Sequence, residues 1–317
     1  MNERAEFEAG DRASTGLAPL FRPKSIAFVG ASERPNTPAS RGLRNCLRLG
    51  FAGGLYPVNP KYESLFGARC YPSLESLPEP IDLAMVALGA DATLDAIAAC
   101  QRLGVKVVVA CSAGWEESGP EGHARADRLR RLLAGSPMRL LGPNCLGSGN
   151  PALRMCLAYN SSFESVSFPR QGRIGLVTQS GAMLGGIILN SEDVGADVGL
   201  FAHVGNAMDI GMEEIMEYMI DDASIEVLAL MIEGVRQPAR FVAAAKKARA
   251  AGKPVIVFKA GASELGRQAV MSHTGALAGS DEVFSAVCRE NGILRVEESE
   301  DLMQAASLLA TWNGKTR

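Results

Sequence analysis

Residues 25–32 read SIAFVGAS, a short apolar run closed by a glycine and two small residues. A compact apolar run bounded by a turn signal suits a strand covered on both faces, so Ser25–Val29 predicts a buried strand. Gly30-Ala31-Ser32 then turns the chain, and Arg41–Leu49 predicts the helix that follows. A helix N-terminus behind a small-residue turn offers free N–H groups and the positive end of the helix dipole to an anion.

The same unit recurs. Gly54–Val58 predicts a second strand, Ile81–Leu88 a third, and Ala92–Leu103 an amphipathic helix. Val105–Cys111 predicts a strand ended by Ser112-Ala113-Gly114, His123–Leu133 a helix, and Arg139–Leu141 a strand ended by Gly142-Pro143-Asn144-Cys145. Alternating strands and helices predict an α/β fold with a parallel, doubly wound sheet. Ligands of such sheets bind beyond the carboxyl ends of the strands. Gly30, Ala31 and Ser32, then Val58, Asn59 and Pro60, then Ser112, Ala113 and Gly114, and finally Asn144 and Cys145 all fall at those ends, which predicts one pocket.

The pocket does not read as a dinucleotide site. The G-x-G-x-x-G fingerprint is absent, and the second strand ends in Asn59-Pro60-Lys61 instead of the carboxylate that would hold the ribose of NAD. Lys61 fits a ligand with additional phosphate, such as coenzyme A with its 3′-phosphate; the other reading is a solvated lysine. Cys145 has no histidine beside it in sequence, which favours a structural thiol over a nucleophile.

In the second half, 149–170 contains Pro151 and Pro169 and shows little periodicity, so it reads as a linker. Arg173–Thr178 predicts a strand, Gln179-Ser180-Gly181 a turn, and Ala182–Ser191 a helix of small residues. This is a second phosphate cradle, with Ser180 and Gly181 at its lip. Val227–Ile232 predicts a buried strand that ends in Glu233-Gly234, and Val255–Phe258 another that ends in Lys259. Beyond it, residues 261–281 read GASELGRQAVMSHTGALAGSD, a small-residue loop centred on His273 with Ser272, Thr274 and Gly275 around it. An imidazole, with its ordinary pKa of about 6.5, is nucleophilic near neutral pH. Taken alone, a loop histidine equally suits an idle surface position. Glu233 suits either a solvated strand end or a carboxylate that holds the histidine ring and fixes its tautomer.

Ser272–Gly279, SHTGALAG, resembles the phosphohistidine loop of the nucleoside-diphosphate-forming acyl-CoA synthetases, relatives of the succinyl-CoA synthetase α subunit. Val29–Ser32, Tyr56–Pro60 and Gly142–Gly147 resemble their CoA-binding domain. Gln179-Ser180-Gly181, Gly205-Asn206 with Asp209, Glu233-Gly234, Lys253-Pro254 and Lys259 resemble their second domain. Two positions depart from the pattern: Trp115 stands where Phe is frequent, and His203 where Ser is usual. The resemblance runs from Leu20 to Leu309.

It implies a Rossmann-like CoA-binding domain over 20–148, then a flavodoxin-like, succinyl-CoA synthetase-like domain over 171–312. His273 would relay a phosphoryl group with Glu233 at its ring. Ser180, Gly181, Ser272, Thr274 and Gly275 would bind phosphate. Coenzyme A would lie on Gly30, Ala31, Ser32, Val58, Asn59, Pro60, Lys61, Ser112, Ala113, Gly114, Asn144 and Cys145. The implied reaction joins a small carboxylic acid to CoA with ATP. No G-x-x-x-x-G-K-[ST] loop is present, so ATP/ADP and Mg2+ would be held by an ATP-grasp β-type partner in a hetero-oligomer. A non-catalytic CoA-binding regulatory module is the alternative; an NAD-linked oxidoreductase is disfavoured by the missing fingerprint.

Composition bounds the rest. A chain of 317 residues suggests two domains, and its formal net charge of -3 argues against duplex nucleic acid, which needs clustered Lys and Arg. No apolar run reaches the roughly 18 residues of a membrane span. Residues 1–19 are polar and read as a disordered arm. Seven cysteines without a CxxC pair fit free thiols in a reducing cytoplasm, and the three histidines lie far from paired cysteines, which disfavours zinc.

Overall fold

The computed structural model describes residues 14–34, 36–168, 171–261 and 280–312. Two sheets make up the framework. The first contains β1 (Ser25–Val29), β2 (Gly54–Val58), β5 (Leu83–Val86), β6 (Val107–Ala110) and β7 (Arg139–Leu141) in the order β2-β1-β5-β6-β7, all parallel. A small hairpin, β3 (Ser64–Leu65) with β4 (Ala68–Arg69), follows β2. Every residue of β1 is buried, because helices cover both faces and the strand has no wet side. Ile26 and Phe28 enter one core cluster and Ala27 and Val29 another, the period-two alternation of a strand between two helical layers.

The second sheet holds β8 (Gly147–Asn150), β9 (Met155–Cys156), β10 (Ile174–Thr178), β11 (Val198–His203), β12 (Val227–Ile232), β13 (Val255–Lys259) and β14 (Leu294–Val296). Its order is β14-β13-β12-β10-β11-β8-β9. Strands β10 to β14 are parallel, whereas β8 joins β11 and β9 joins β8 antiparallel. Counted by their parallel strands, both sheets have the flavodoxin-like order 2-1-3-4-5, with the direction of winding reversing beside the first strand. The α/β reading and its parallel sheets therefore hold.

The two halves interlock. Asn206, Met208 and Ile210 donate backbone hydrogen bonds to Pro143 (2.8 Å), Gly142 (3.0 Å) and Leu140 (3.1 Å), so second-half chain runs along the outer edge of β7. One core cluster contains Phe28 and Leu141 together with Leu200, Met216 and Ile232, and thus crosses the seam. Arg139, buried in β7, forks onto Glu214 (2.7 and 2.9 Å) and Asp209 (2.9 and 3.1 Å) from the second half. Burial opposes its charge, but the hydrogen bonds it donates to Glu214 and Asp209 outweigh burial and leave the guanidinium pKa raised.

Two expectations from sequence need correction. The stretch expected as linker over 149–170 opens as sheet, since β8 and β9 extend the β11 edge. Gly147-Ser148-Gly149-Asn150 lacks apolar alternation although all four residues are buried, because Ser148 and Asn150 donate their side-chain hydrogen bonds to the Leu20 and Phe21 carbonyls. A Cβ on Gly149 would stand 2.2 Å from the Phe201 ring, so the missing side chain is what lets the strand close down. The arm expected to be disordered over 1–19 is ordered from Ser14: Ser14–Leu17 is a 3-10 turn, Ala18–Phe21 a helical turn, and Leu17, Leu20 and Phe21 are fully buried. The Phe21 ring stacks on Tyr218 at 5.1 Å. Residues 1–13 lie outside the described residues.

Candidate functional site

At the switch point of the second sheet the ends of β10 and β12 lie side by side, and Gln179 ties them together. Its Oε1 accepts the N–H groups of Glu233 (2.6 Å) and Gly234 (3.0 Å), and its Nε2 donates to the Gly234 carbonyl at 2.8 Å. Ser180 caps the helix Gly181–Asp193 and accepts the Met183 N–H at 3.5 Å. The helix thus starts directly on the strand end, with its N-terminal N–H groups and dipole facing outward. Glu233, 8% exposed, follows β12 on the adjacent strand end.

One strand further on, Lys259 ends β13. Its buried ammonium lies 3.4 Å from the Asp281 carboxylate, which also accepts a 3.0 Å hydrogen bond from Arg295. Burial pushes the Asp281 carboxyl up, but Arg295 and then Lys259 outweigh burial and hold it below the usual carboxylate range. Lys259 and Asp281 lie on either side, in sequence, of residues 262–279, which include the sequence-predicted His273. His273, Ser272, Thr274 and Gly275 lie outside the described residues.

In the first sheet, the ends of β1 and β2 bring together two of the sequence-predicted groups. Gly30 donates to the Val58 carbonyl at 3.1 Å, and Asn59 bridges by donating to the Ala31 carbonyl at 2.8 Å and accepting the Lys61 N–H at 3.0 Å. Gly30 has φ +89°, and a Cβ there would stand 2.5 Å from the Ala87 carbonyl, so the turn requires glycine. Ser32 is half-buried beside the turn, whereas Pro60 and Lys61 are exposed. Ala31 and Val58 are buried and can present only backbone to a ligand. Ser112 follows β6; its carbonyl accepts the Asn144 N–H at 2.9 Å, which ties the ends of β6 and β7. Ala113 and Gly114 continue that loop.

Cys145 is the structural thiol its sequence context favoured, and its place among the coenzyme A contacts is corrected. It is fully buried, its thiol donates to the His203 carbonyl at 2.9 Å, and burial pushes its pKa up to about 12. It is a packing residue of the seam, and its side chain presents nothing to a ligand at the strand ends. Its neighbour Asn144, at φ +54°, does line the open cleft.

That cleft, about 320 Å³ in volume, lies between the two halves. Asn144, Leu146 and Tyr159 line it together with Gln179, Ser180, Gly181, His203 and Glu233. Arg236 brings a cation to its rim. Among the described residues no cluster of three or more His, Cys, Asp or Glu could hold a metal ion, and no helix is long and apolar enough to cross a membrane.

Sequence reasoning missed Glu117. Its carboxylate accepts the N–H groups of Gly114 (2.8 Å) and Trp115 (3.1 Å) and, with its other oxygen, the Asn206 side-chain amide at 2.8 Å. Burial opposes its charge, yet the hydrogen bond from Trp115 and those that accompany it hold the carboxyl below its ordinary value. In sequence it reads as an ordinary loop glutamate, and only the fold reveals its partner across the seam.

Comparisons with known proteins agree with this geometry. The model of a CoA binding domain matches residues 24–151, and that of a succinyl-CoA ligase like flavodoxin domain matches residues 171–309. The chain is 37% identical over 290 residues to the acetate–CoA ligase [ADP-forming] I of Archaeoglobus fulgidus, covering 92% of this chain and 41% of that protein. Over nearly its whole length the chain is therefore similar to ADP-forming acetate–CoA ligases. It is also 35% identical over 302 residues to the acetate–CoA ligase [ADP-forming] I subunit alpha of Pyrococcus furiosus, covering 92% of this chain and 64% of that subunit. Among solved structures, it superposes on acetyl-coenzyme A synthetase 1 of Ca. Korarchaeum cryptofilum, described in complex with phosphate and ADP. The TM-score is 0.84 at 31% identity, covering 92% of this chain and 62% of that one. The chain therefore spans less than two thirds of the length of each of these relatives.

Proposed function

We propose that this chain is the α-type portion of an ADP-forming acyl-CoA synthetase, which joins a small carboxylic acid to coenzyme A and works with an ATP-grasp partner. The observation that carries this reading is the shared cleft: Asn144 from the carboxyl edge of the first sheet faces Ser180, Gly181 and Glu233 from the second. Residues 20–148 would serve CoA and residues 171–312 the phosphoryl group. The relatives named above, an ADP-forming acetate–CoA ligase and its subunit alpha counterpart, support the same assignment.

In the forward direction, ATP on the partner phosphorylates His273 and releases ADP. The phosphoryl group then passes to the acid, giving an acyl phosphate, and the CoA thiol displaces phosphate to form the thioester. A covalent relay divides one difficult step into easier ones. Glu233 would hold the ring N–H of His273 and steady its positive charge, while Ser180 and the N–H groups at Gly181, with Ser272, Thr274 and Gly275, would hold the phosphoryl oxygens. Mg2+ would arrive with the nucleotide and be held by the partner. CoA would lie over Gly30–Ser32, Asn59–Lys61 and Ser112–Gly114, where small residues leave the strand ends open and exposed Lys61 fits its anionic phosphates. The described cysteines are buried and unpaired, which suits a reducing cytoplasm.

The test is to incubate the chain and its co-purifying partner with ATP labelled at the γ-phosphate. The expected label on this chain is acid-labile and base-stable, and it disappears in His273→Asn. No label while CoA still binds would overturn the ligase reading in favour of a CoA-responsive module.

A further inference from the structure

The His203 imidazole, 6% exposed at the end of β11, joins segments from both halves. The Leu146 N–H donates to its Nδ1 at 2.8 Å. A backbone N–H can only donate, so Nδ1 carries no proton and the neutral ring's proton resides on Nε2. Nε2 lies 3.0 Å from the Gln179 carbonyl, which can only accept, so the second bond runs from Nε2–H to that oxygen. Two backbone groups thus select one tautomer. The ring is also wedged against the cradle, since a Cβ added to Gly181 would stand 3.2 Å from His203 Cε1. The His203 carbonyl in turn accepts the Cys145 thiol.

We propose that His203 is a positioning residue for phosphoryl transfer: its imidazole sets the Ser180–Gly181 lip at a fixed distance from the first half's wall of the cleft. The proposal rests on the phosphohistidine reading given above. Gln179 immediately precedes Ser180 and also holds Glu233 and Gly234 through its side chain. Moving the Gln179 carbonyl therefore moves the phosphate lip and Glu233 together. Leu146 is the fixed point, because Cys145 and Gly147 on either side of it are buried in the seam. The imidazole contributes by geometry and exchanges no proton with substrate.

Three variants of the chain test this in complex with its partner. An Asn amide reaches about as far as Nδ1 and can keep the Leu146 bond alone, while a Gln amide reaches about as far as Nε2 and can keep the Gln179 bond. Gly181→Ala retains both hydrogen-bonding groups but crowds the ring. Displacing reacting groups by about 1 Å can cost roughly 100-fold. The expected result is that His203→Asn and His203→Gln, each keeping one of the two bonds and losing the span between them, label from γ-labelled ATP roughly 100-fold more slowly per folded molecule, and Gly181→Ala about tenfold more slowly. CoA affinity by calorimetry stays at the wild-type value in all three.

Wild-type labelling rates in His203→Asn and Gly181→Ala, with only the melting temperature lowered, would overturn the positioning role and leave the relay standing. If the His203 variants do not fold, Gly181→Ala decides by the same reading. An unlabelled wild type would overturn the relay, and the positioning role with it.

Discussion

The two sheets share one strand order yet present their first turns differently. After Thr178 the helix begins three residues on, at Gly181, capped by Ser180; after Val29 it begins nine residues on, at Pro38. In between, Thr37, Ser40 and Ser32 hydrogen-bond one another, with Thr37 donating to Ser40 at 2.6 Å and Ser40 donating to the Ser32 carbonyl at 2.8 Å. A helix that starts on the strand end concentrates its N–H groups and dipole at one point, which suits a compact phosphoryl group. A long, internally bonded turn spreads polar groups over a broad edge, which suits an extended ligand. The same topology therefore yields a point site and a surface site, and the length of the first turn separates them.

That contrast can be broken from the seam. Arg139→Met would leave Asp209 and Glu214 facing each other without their shared cation, so a loss of about 3–5 kcal/mol is expected in chemical denaturation, at both halves together. Separate transitions for the two halves would instead show that their edges are independent. Gly30→Ala sharpens the contrast from the first half: the φ of +89° and the 2.5 Å approach to the Ala87 carbonyl predict a loss of about 1–3 kcal/mol or more. CoA binding should weaken with it, while the rate at which His273 is labelled stays at the wild-type value. Parallel losses in both would count against the division of labour.

The smallest effect concerns pH. Asp281 has a carboxyl pKa lowered in the folded chain, so its contribution to stability is complete above the ordinary carboxylate value of about 3.9 and is lost as pH falls through the depressed folded value. Asp281→Asn should flatten the acid limb of the stability curve and leave the neutral region less stable. An unchanged acid limb would mean that Arg295 and Lys259 do not stabilise the Asp281 carboxylate.

How much of this was legible in the sequence depended on what kind of force makes each element. SIAFV and VLALMI announce themselves because strands buried on both faces must be apolar throughout. Gly181 and Ser180 were legible because a cap and a close turn have residue-level signatures. Gly147-Ser148-Gly149-Asn150 was not, since its strand rests on backbone pairing with β11. Leu17, Leu20 and Phe21 were hidden in a stretch too short to show periodicity, although each is fully buried. Cys145 sat correctly at a strand end in sequence but points into the seam, an orientation that one-dimensional spacing does not encode. Arg139 read as a polar residue at the start of a strand; only two carboxylates, 70 and 75 residues further along, explain its burial.

The covering of the β7 edge has a consequence for synthesis. As the chain leaves the ribosome, the first sheet can assemble once Leu141 has emerged, but the segment that occupies the outer side of β7 ends at Ile210. Until then a strand with unpaired N–H and C=O groups stands open, the feature that promotes edge-to-edge association in nascent chains. The reverse debt does not arise, because β8 and β9 are made before the β11 edge they cover. The vulnerable interval in the life of this protein is therefore short, one-sided and confined to the stretch of translation between the two halves.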